Sequence, residues 1–198
     1  MDFTLDKKHE MARSLFREFA EKEVKPLAIE VDETEIFPRE TVTKMAKYGF
    51  LGIPVAKEYG GQGADPLAYV MCVEELSKVC ATTGVIVSAH TSLCADPIAM
   101  YGTPEQKEKY LVPLAKGEKL GAFALTEPNA GTDAQGAVTK AVLDGDEYVL
   151  NGSKIFITNG KEADIYVVIA CTEIKVDAKG RQKKIFSAFI VEKDTPGF

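Results

Sequence analysis

Apolar side chains recur at helical spacing through the first part of the chain. Between Leu5 and Val31 they are mixed with many lysines and glutamates, which is the 3.6-residue pattern of an amphipathic helix. Pro26 lies within this segment, so we expect it to bend or divide the helix. A second helix is predicted from Pro38 to Tyr48, because Pro38 suits a first helical turn and Gly49 suits a C-terminal stop.

The most apolar stretch follows the loop GIPVAKEYGGQGADP. Residues from Leu67 to about Met100 predict two core helices, separated near Thr82 to Gly84. The run from Thr103 to Gln106 predicts another helix start, with a threonine N-cap, a proline at the first helical position and a glutamine that completes a capping box. The helices are expected to end near Gly117.

After Gly121 the pattern changes to short β-rich runs, namely GAFALT, AVTKAVL, DEYVLNG, KIFITNG, ADIYVVIACTE and KIFSAFIVEK. Asp144-Gly145 and Asn151-Gly152 predict hairpin turns between them. The sequence therefore predicts an α+β protein with an N-terminal α-helical domain (residues 1–119) and an antiparallel, barrel-like β-domain (residues 120–198). We expect the β-domain to be incomplete, because the chain stops among turn residues directly after a strand.

Composition and charge exclude several functions. The chain has 198 residues, 45% hydrophobic and 27% charged, which is typical of a globular protein with a sizeable core. Its net charge of -6 provides no basic surface for a nucleic acid. No apolar run approaches the roughly 18 residues of a membrane span, and the N-terminus has no export or transit character. We expect a cytoplasmic protein that binds neither nucleic acid nor membrane.

Cysteine and histidine usage argues against a metal site. The chain has four cysteines without a C-x-x-C pair, and only His9 and His90 could join them as ligands. We therefore expect no bound metal. We interpret the cysteines, at positions 72, 80, 94 and 171, as reduced core thiols.

Familiar catalytic motifs are missing: there is no G-x-S-x-G, no H-E-x-x-H, and no Walker or Rossmann glycine pattern after a strand. YGGQG resembles a phosphate loop only superficially and is interpreted as a connecting loop. His90 could be a general base, but a lone histidine in an apolar helix is more often a hydrogen-bonded core residue. Glu127 could be a base as well, but we favour a buried ion pair with Lys154.

Two turn-rich segments give the strongest indication of a ligand. LTEPNAGTDA begins at Leu125 and KIFITNG begins at Lys154, and each is predicted to place hydroxyls, backbone donors or an aromatic ring at the end of a strand. LTEPNAGTDA has more turn-forming residues than a plain chain reversal needs. We therefore expect both segments to face the same bound molecule.

The side chains of these segments suit a flat heteroaromatic ring that carries phosphates. Phe156 offers a π-face, and the hydroxyls of Thr126 and Thr158 can bond ring nitrogens and carbonyl oxygens. The N–H groups around Gly131 and Thr132 can bind an anion. A flavin dinucleotide bound without a Rossmann fold meets this description.

At these residues the chain resembles the acyl-CoA dehydrogenases, over essentially all of its positions, and is most similar to the short-chain butyryl-CoA dehydrogenases of anaerobic bacteria. The resemblance rests on the ordered series FAEKEVKPLAIEVDETEIFP, GFLGIPVAKEYGGQG, VEELSKVCATTGVIVSAHTSLC, YGTPEQKEKYLVPLAKGEKLGAFALTEPNAGTDA and LNGSKIFITNG. It implies a helical N-terminal domain, a middle β-domain and a C-terminal four-helix domain that is absent here. FAD is expected between the last two domains and a neighbouring subunit.

The resemblance also implies a set of flavin-binding residues: Phe123, Leu125, Thr126, Gly131, Thr132, Phe156, Ile157 and Thr158. Leu125 and Thr126 are expected near the isoalloxazine ring. Thr132 is expected to reach both a phosphate and the CoA thioester, and Thr158 to lie near flavin N5. Many relatives have Trp in place of Phe156, so the stacking surface remains here while the indole N–H is lost.

The implied reaction is the FAD-dependent α,β-dehydrogenation of a short-chain acyl-CoA to the 2,3-enoyl-CoA, or its reverse. In this family a glutamate removes the α-proton while the β-hydrogen leaves as hydride. That glutamate is expected beyond Phe198, so we assign no catalytic residue in this chain. The implied electron partner is an electron-transferring flavoprotein, and the implied assembly is a homotetramer.

Other functions stay open on the same scaffold. A flavin monooxygenase, or a flavin-binding protein without acyl turnover, would contain a similar LTEPNAGTDA segment. A helical interaction module with a β appendage is a further alternative, but it would leave the clustered hydroxyls unexplained.

Overall fold

A computed structural model describes residues 4–176 and 178–198. The chain divides into two units, Met1–Gly121, which is helical, and Ala122–Phe198, which contains a β-sheet. In the parts of the chain so described, no helix has both the length and the apolar character that crossing a membrane requires.

The helical unit contains eight α-helices among its described residues, joined by short turns. They are α1 (Lys7–Phe19), α2 (Ala28–Thr34), α3 (Arg39–Lys47), α4 (Pro66–Ser77), α5 (Ala81–Ser88), α6 (Asp96–Tyr101), α7 (Pro104–Gln106) and α8 (Val112–Ala115). Wider, π-helical turns occupy Ala20–Val24, Ala89–Ala95 and Lys107–Leu111, and tighter 3-10 turns occupy Lys25–Leu27, Phe50–Gly52 and Lys57–Tyr59.

Local signals located several helix ends correctly. Pro26 lies in a 3-10 turn between α1 and α2, so the predicted division of the first helix is confirmed. Gly49 has φ +74 directly after α3, as a C-terminal stop requires. The capping box at Thr103 is also confirmed, because its hydroxyl accepts from the Gln106 N–H while the Gln106 side chain accepts from the Thr103 N–H.

The break between the two apolar helices lies elsewhere than predicted. α4 ends at Ser77 and α5 begins at Ala81, so Thr82 to Gly84 are helical and the prediction of a break there was wrong. Packing explains the glycine, because a Cβ at Gly84 would lie 1.9 Å from Ser77 Oγ. Gly84 therefore allows a close contact with the end of α4 instead of ending a helix.

Edge-to-face aromatic pairs form one part of the helical core. The Phe50 ring lies 5.1 Å from that of Phe16 and 5.0 Å from that of Phe19, measured between centroids. Met45 and Leu76 are fully buried in the same cluster. Each large side chain removed from water contributes about 1.5 to 3 kcal/mol, so this cluster holds α1, α3 and α4 together.

A buried carboxylate also joins α1 to α4. Glu75 is 3% exposed and accepts hydrogen bonds from Arg13 (2.8 Å) and Arg17 (3.1 Å). The bond from Arg17 lowers the pKa of Glu75 to about 2, with help from Arg13 and Lys78 and against the opposing effect of burial. The carboxylate is therefore ionised at neutral pH.

His9 bridges the N-caps of two helices. Asp6 caps α1 and Asp65 caps α4, each through a side-chain oxygen that accepts a backbone N–H. His9 Nδ1 lies 2.8 Å from Asp6 Oδ1, and His9 Nε2 lies 2.9 Å from Asp65 Oδ2. The hydrogen bond to Asp65 is the largest influence on the pKa of His9 and, together with Asp6, raises it above its ordinary value.

We predict that this bridge stabilises the fold only while His9 is protonated. Because its folded-state pKa is raised, the contribution is fully present below the ordinary histidine value of about 6.5 and is lost as pH rises through the folded-state pKa. Melting temperatures of wild type and His9→Gln should differ at pH 6 and converge by pH 8.5. His90 is the only other histidine, and burial lowers its pKa to about 4, so it does not titrate in this window. An equal difference at both pH values would contradict the prediction.

Five strands form one sheet: β1 (Gly121–Ala124), β2 (Lys140–Asp144), β3 (Glu147–Asn151), β4 (Ile165–Val176) and β5 (Gln182–Glu192). The strand order is β1-β4-β2-β3, and β5 also pairs with β4. β2 with β3 and β4 with β5 are antiparallel hairpins. The hairpin predicted from Asp144-Gly145 is confirmed, with Gly145 and Asp146 as its two turn residues, because Asp144 is still paired with Glu147.

The sheet is mixed, so the prediction of a purely antiparallel domain was wrong. β2 runs parallel to β4, with Lys140 opposite Cys171. A parallel neighbour requires a long connection, and here that connection includes β3 and the irregular residues 152–164. The KIFITNG segment lies in those residues and is not a strand.

The Asn151-Gly152 pair likewise does not form the predicted hairpin turn. It ends β3 and leads into the irregular connection. A Cβ at Gly152 would lie 2.2 Å from Thr139 Oγ1. The glycine therefore allows the chain to pass close to Thr139.

Candidate functional site

The structure brings the two turn-rich segments together. The Ile155 N–H donates to the Thr126 carbonyl at 2.9 Å, and the Lys154 ammonium donates to the Leu125 carbonyl at 2.9 Å. LTEPNAGTDA and KIFITNG therefore share a contact, although the second is a loop. Both segments lie within the β-unit.

Glu127 is the centre of this contact. Its Oε1 accepts from the Lys154 ammonium at 2.8 Å and from the Thr139 N–H at 3.0 Å, and its Oε2 accepts from the Val138 N–H at 2.6 Å. The Glu127 side chain is 2% exposed and that of Lys154 is 10% exposed. The predicted buried ion pair is confirmed.

This environment fixes the charge of Glu127. Burial alone would raise the pKa of the carboxyl group, but hydrogen bonds from Lys154, Thr139 and Val138 lower it to about 2. A carboxylate with three donors and so low a pKa does not accept a proton near neutral pH. Glu127 therefore serves as a structural anion and not as a general base.

The turn after Glu127 is closed by reciprocal backbone bonds. The Glu127 N–H donates to Ala130 O and the Ala130 N–H donates to Glu127 O, both at 3.0 Å. Pro128 and Asn129 form the exposed tip. The chain then passes through Gly131, where an added Cβ would meet nothing within 4 Å. Neither its backbone angle nor its packing within this chain requires a glycine there, whereas close approach of a ligand would.

KIFITNG contains two residues in left-handed conformation, Phe156 (φ +58) and Asn159 (φ +65). Asparagine tolerates this conformation, but a bulky aromatic residue rarely adopts it. The Phe156 ring is 85% exposed, while the next residue, Ile157, packs against the small apolar core of the β-unit. The strained backbone thus presents Phe156 outward, an arrangement that is frequent at binding sites.

The remaining predicted residues differ in exposure. Phe123 lies in β1, and it is half-buried, as are Leu125 and Thr126 directly after that strand. Gly131 and Thr132 are exposed beyond the closed turn and take no part in the contact between the two segments. Thr158 is half-buried in KIFITNG.

Two further residues hold these segments, and no sequence motif pointed to either. The Tyr166 hydroxyl lies 2.8 Å from Gly160 O and 2.9 Å from Ala163 O, which fixes the end of the irregular connection. The Lys184 ammonium donates to Gly136 O and Ala137 O, beyond Thr132. Tyr166 lies in β4 and Lys184 in β5, and nothing in the sequence of either strand marks them as special. Only the tertiary structure reveals their hydrogen-bond partners.

His90, the other residue considered as a base, is a core residue. It is fully buried in the helical unit, and its Nδ1 accepts the Gly121 N–H at 3.0 Å. Burial lowers the pKa of His90 to about 4, against smaller opposing effects of the Leu114 and Leu51 backbones. The imidazole is therefore neutral at neutral pH. This favours the interpretation of His90 as a hydrogen-bonded core residue over that of a general base.

The residues around the two segments fit FAD. In the parts of the chain that the structure describes, the hydroxyls of Thr126 and Thr158 make no hydrogen bond, so both are available to a ligand. Phe156 supplies an exposed aromatic face, and the open backbone at Gly131 could accommodate an anionic group. No group of three or more His, Cys, Asp or Glu among the described residues could hold a metal ion.

Comparison with known families agrees with this chemistry. The acyl-CoA dehydrogenase N-terminal domain matches residues 6–118, and the acyl-CoA dehydrogenase middle domain matches residues 122–198. The chain belongs to the acyl-CoA dehydrogenase family. FAD is the cofactor of this family, and solved structures with the same fold include complexes with FAD and with FADH2.

Individual relatives are closely similar. The chain is 62% identical over 198 residues to the short-chain specific acyl-CoA dehydrogenase of Clostridium acetobutylicum, covering 100% of this chain and 51% of that protein. It is 47% identical to the butyryl-CoA dehydrogenase of Megasphaera elsdenii, with a TM-score of 0.90. The match covers 100% of this chain and 51% of that chain. A chain in the structure of the electron transferring flavoprotein of Acidaminococcus fermentans is 53% identical with a TM-score of 0.90, covering 100% and 50%. The chain thus spans about half the length of the relatives it matches.

We predict that breaking the Glu127–Lys154 pair destabilises the β-unit strongly. Glu127→Gln leaves the Lys154 ammonium without its counter-charge in a nearly dry site, which costs about 3 to 5 kcal/mol. The free energy of unfolding is measured by denaturant titration for Glu127→Gln, Lys154→Met and the double variant. The decrease in the double variant should be well below the sum of the decreases in the two single variants. Glu147→Gln, at an exposed position of β3, is the control and should change stability by less than about 0.5 kcal/mol. Additive losses would contradict direct pairing.

Proposed function

We propose that the full-length protein catalyses the FAD-dependent α,β-dehydrogenation of a short-chain acyl-CoA to the 2,3-enoyl-CoA, or the reverse reduction. The observation that carries this proposal is the arrangement around Glu127. One ionic network joins the two segments that present the Phe156 ring and the Thr126 and Thr158 hydroxyls, and neither hydroxyl makes a hydrogen bond among residues 4–176 and 178–198. The similarity to short-chain and butyryl-CoA dehydrogenases supports the choice of substrate.

Each residue has a distinct proposed role. Phe156 stacks on the flavin ring, and Ile157 anchors the loop that carries it to the core. Phe123 and Leu125 would line the ring of a bound flavin, and the Thr126 and Thr158 hydroxyls would donate hydrogen bonds to its polar atoms, with Thr158 on the N5 side. Gly131 and Thr132 bind a phosphate of the cofactor, with Thr132 also reaching the acyl-CoA thioester. FAD, when bound, supplies the acceptor for the hydride from the β-carbon.

The proposal extends to parts of the protein that this chain does not supply. The base that removes the α-proton lies beyond Phe198, which agrees with the low proton affinities of Glu127 and His90. Electrons are exchanged with an electron-transferring flavoprotein, an idea supported by the similarity to a chain of the Acidaminococcus fermentans structure. The full-length protein is proposed to be a cytoplasmic homotetramer.

The direct test uses purified full-length protein. It should show a yellow flavin spectrum, and anaerobic addition of butyryl-CoA should bleach it and form the 2,3-enoyl thioester. In a series of saturated acyl-CoA substrates of increasing length, kcat/KM should be highest at four carbons. Absence of flavin after reconstitution would refute FAD binding. Flavin that no acyl-CoA bleaches would refute the dehydrogenase and favour a monooxygenase or a non-catalytic flavin protein.

We predict that Phe156 contributes to binding at a cost in stability. Phe156→Gly removes the Cβ that makes φ +58 unfavourable, whereas Phe156→Ala keeps it. The glycine variant should therefore be more stable than the alanine variant by roughly 1 kcal/mol in the FAD-free state. Both should bind FAD several-fold more weakly, because stacking is worth about 0.5 to 1.5 kcal/mol.

Phe156→Trp is the matched control. It should retain the FAD affinity of the wild type, because an aromatic face remains. FAD titration and thermal unfolding of the three variants measure both effects. Unchanged FAD affinity in the glycine and alanine variants would mean that the ring lies elsewhere.

A further inference from the structure

The peptide between Ala137 and Val138 is held from both sides by opposite charges. Its N–H, on Val138, donates to Glu127 Oε2 at 2.6 Å, and its carbonyl, on Ala137, accepts from the Lys184 ammonium at 2.7 Å. Across a trans peptide the N–H and C=O point in opposite directions. The peptide dipole is thus aligned between a carboxylate and an ammonium group, an arrangement that favours both hydrogen bonds.

These contacts form one continuous network. It runs from the Leu125 carbonyl through Lys154 and Glu127 to the Ala137–Val138 peptide, and from there to Lys184. Lys184 also binds the Gly136 carbonyl at 3.1 Å. A residue of β5 therefore holds the far end of a network whose near end lies beside the proposed ring site.

The segment between the two ends carries the proposed phosphate-binding residues. Residues 131–137 leave the closed Glu127–Ala130 turn and pass through a 3-10 turn, Ala134–Gly136, to reach the point held by Lys184. Gly131 and Thr132 are exposed in this segment. With both ends tied, the backbone there has fewer conformations to lose when it binds an anion. The Lys184 ammonium also adds positive charge at the base of the segment.

We propose that Lys184 is a positioning residue, which fixes residues 131–137 for the diphosphate of FAD. This inference rests on the proposed function. Lys184 acts through the Gly136 and Ala137 carbonyls and needs no contact with the cofactor. Its partner across the sheet is Ile174, whereas the adjacent Lys183 lies opposite Lys175 and points to the other face. Lys183 is exposed and provides a control of the same residue type.

The test compares Lys184→Met, Lys184→Gln and Lys184→Arg with Lys183→Met in the full-length protein. FAD is titrated into FAD-free protein, and hydrogen exchange is measured without FAD at the Val138 and Thr139 amides. Lys184→Met should weaken FAD binding about tenfold or more, since hydrogen bonds from a charged donor are the stronger ones. It should also speed exchange at both amides. Lys184→Arg should recover most of the affinity, and Lys183→Met should match wild type.

The outcomes separate this inference from the function on which it rests. Wild-type affinity and exchange in Lys184→Met, with wild type binding FAD, would overturn the role of Lys184 and leave the proposed function intact. Failure of wild type to bind FAD, together with faster exchange in Lys184→Met, would support the network and refute its proposed ligand. If Lys184→Met does not fold, Lys184→Gln provides the same comparison, because it removes the charge and retains a polar donor. A loss of FAD affinity in Lys183→Met equal to that in Lys184→Met would also overturn the inference.

Discussion

The buried carboxylate of Glu127 is the group on which the proposed ligand-binding surface of the β-unit depends. Glu127 lies in LTEPNAGTDA and joins it to KIFITNG; the two segments lack regular strand pairing with each other, and a loop without such pairing is ordinarily mobile and exposed. Glu127 compensates with donors from three places, the Lys154 ammonium and the Val138 and Thr139 amides. A charge withdrawn from water is costly unless it is paired and hydrogen-bonded. Because the buried Glu127 carboxylate needs all of these donors, it fixes the position of the two segments relative to each other.

Three buried titratable groups, Glu75, Glu127 and His90, are each held in one protonation state. Glu75 and Glu127 are ionised because several donors surround them, and His90 is neutral because burial lowers its pKa to about 4. A general acid or base works best when its pKa lies near the working pH. None of these three groups meets that condition, so their chemistry is that of structural anchors. This agrees with the proposal that proton abstraction belongs to another part of the full-length protein.

The sequence predicted those features whose cause is local. The capping box at Thr103 and the Asp144-Gly145 turn depend on residues a few positions apart, and both were found as expected. Gly84 was misinterpreted because a glycine that breaks a helix and a glycine that packs against one are the same residue in a sequence. Only the distance to Ser77 distinguishes the two.

In the candidate site, too, the sequence predicts the local features but not those that depend on tertiary contacts. The two segments could be predicted because LTEPNAGTDA has more turn-forming residues than a chain reversal needs, and the Glu127–Lys154 pair because a carboxylate within such a turn needs a partner. The β-branched and aromatic residues of KIFITNG predict a strand, whereas the left-handed conformation of Phe156 is imposed by its surroundings. Lys184 was missed because a lysine on a strand usually indicates an exposed position. Its partners lie 47 and 48 residues away in the sequence.

The spacing of the Glu127 partners also bears on the order in which the β-unit folds. They lie 11, 12 and 27 residues along the chain, so the network closes large loops. The β2–β3 and β4–β5 hairpins close over only a few residues, and contacts with short loops form sooner because less chain entropy is lost. We therefore expect the hairpins to appear first and the carboxylate to collect its donors late. During synthesis, most of the sheet would then form before the proposed cofactor-binding surface. Cofactor binding would follow the last folding step of this unit.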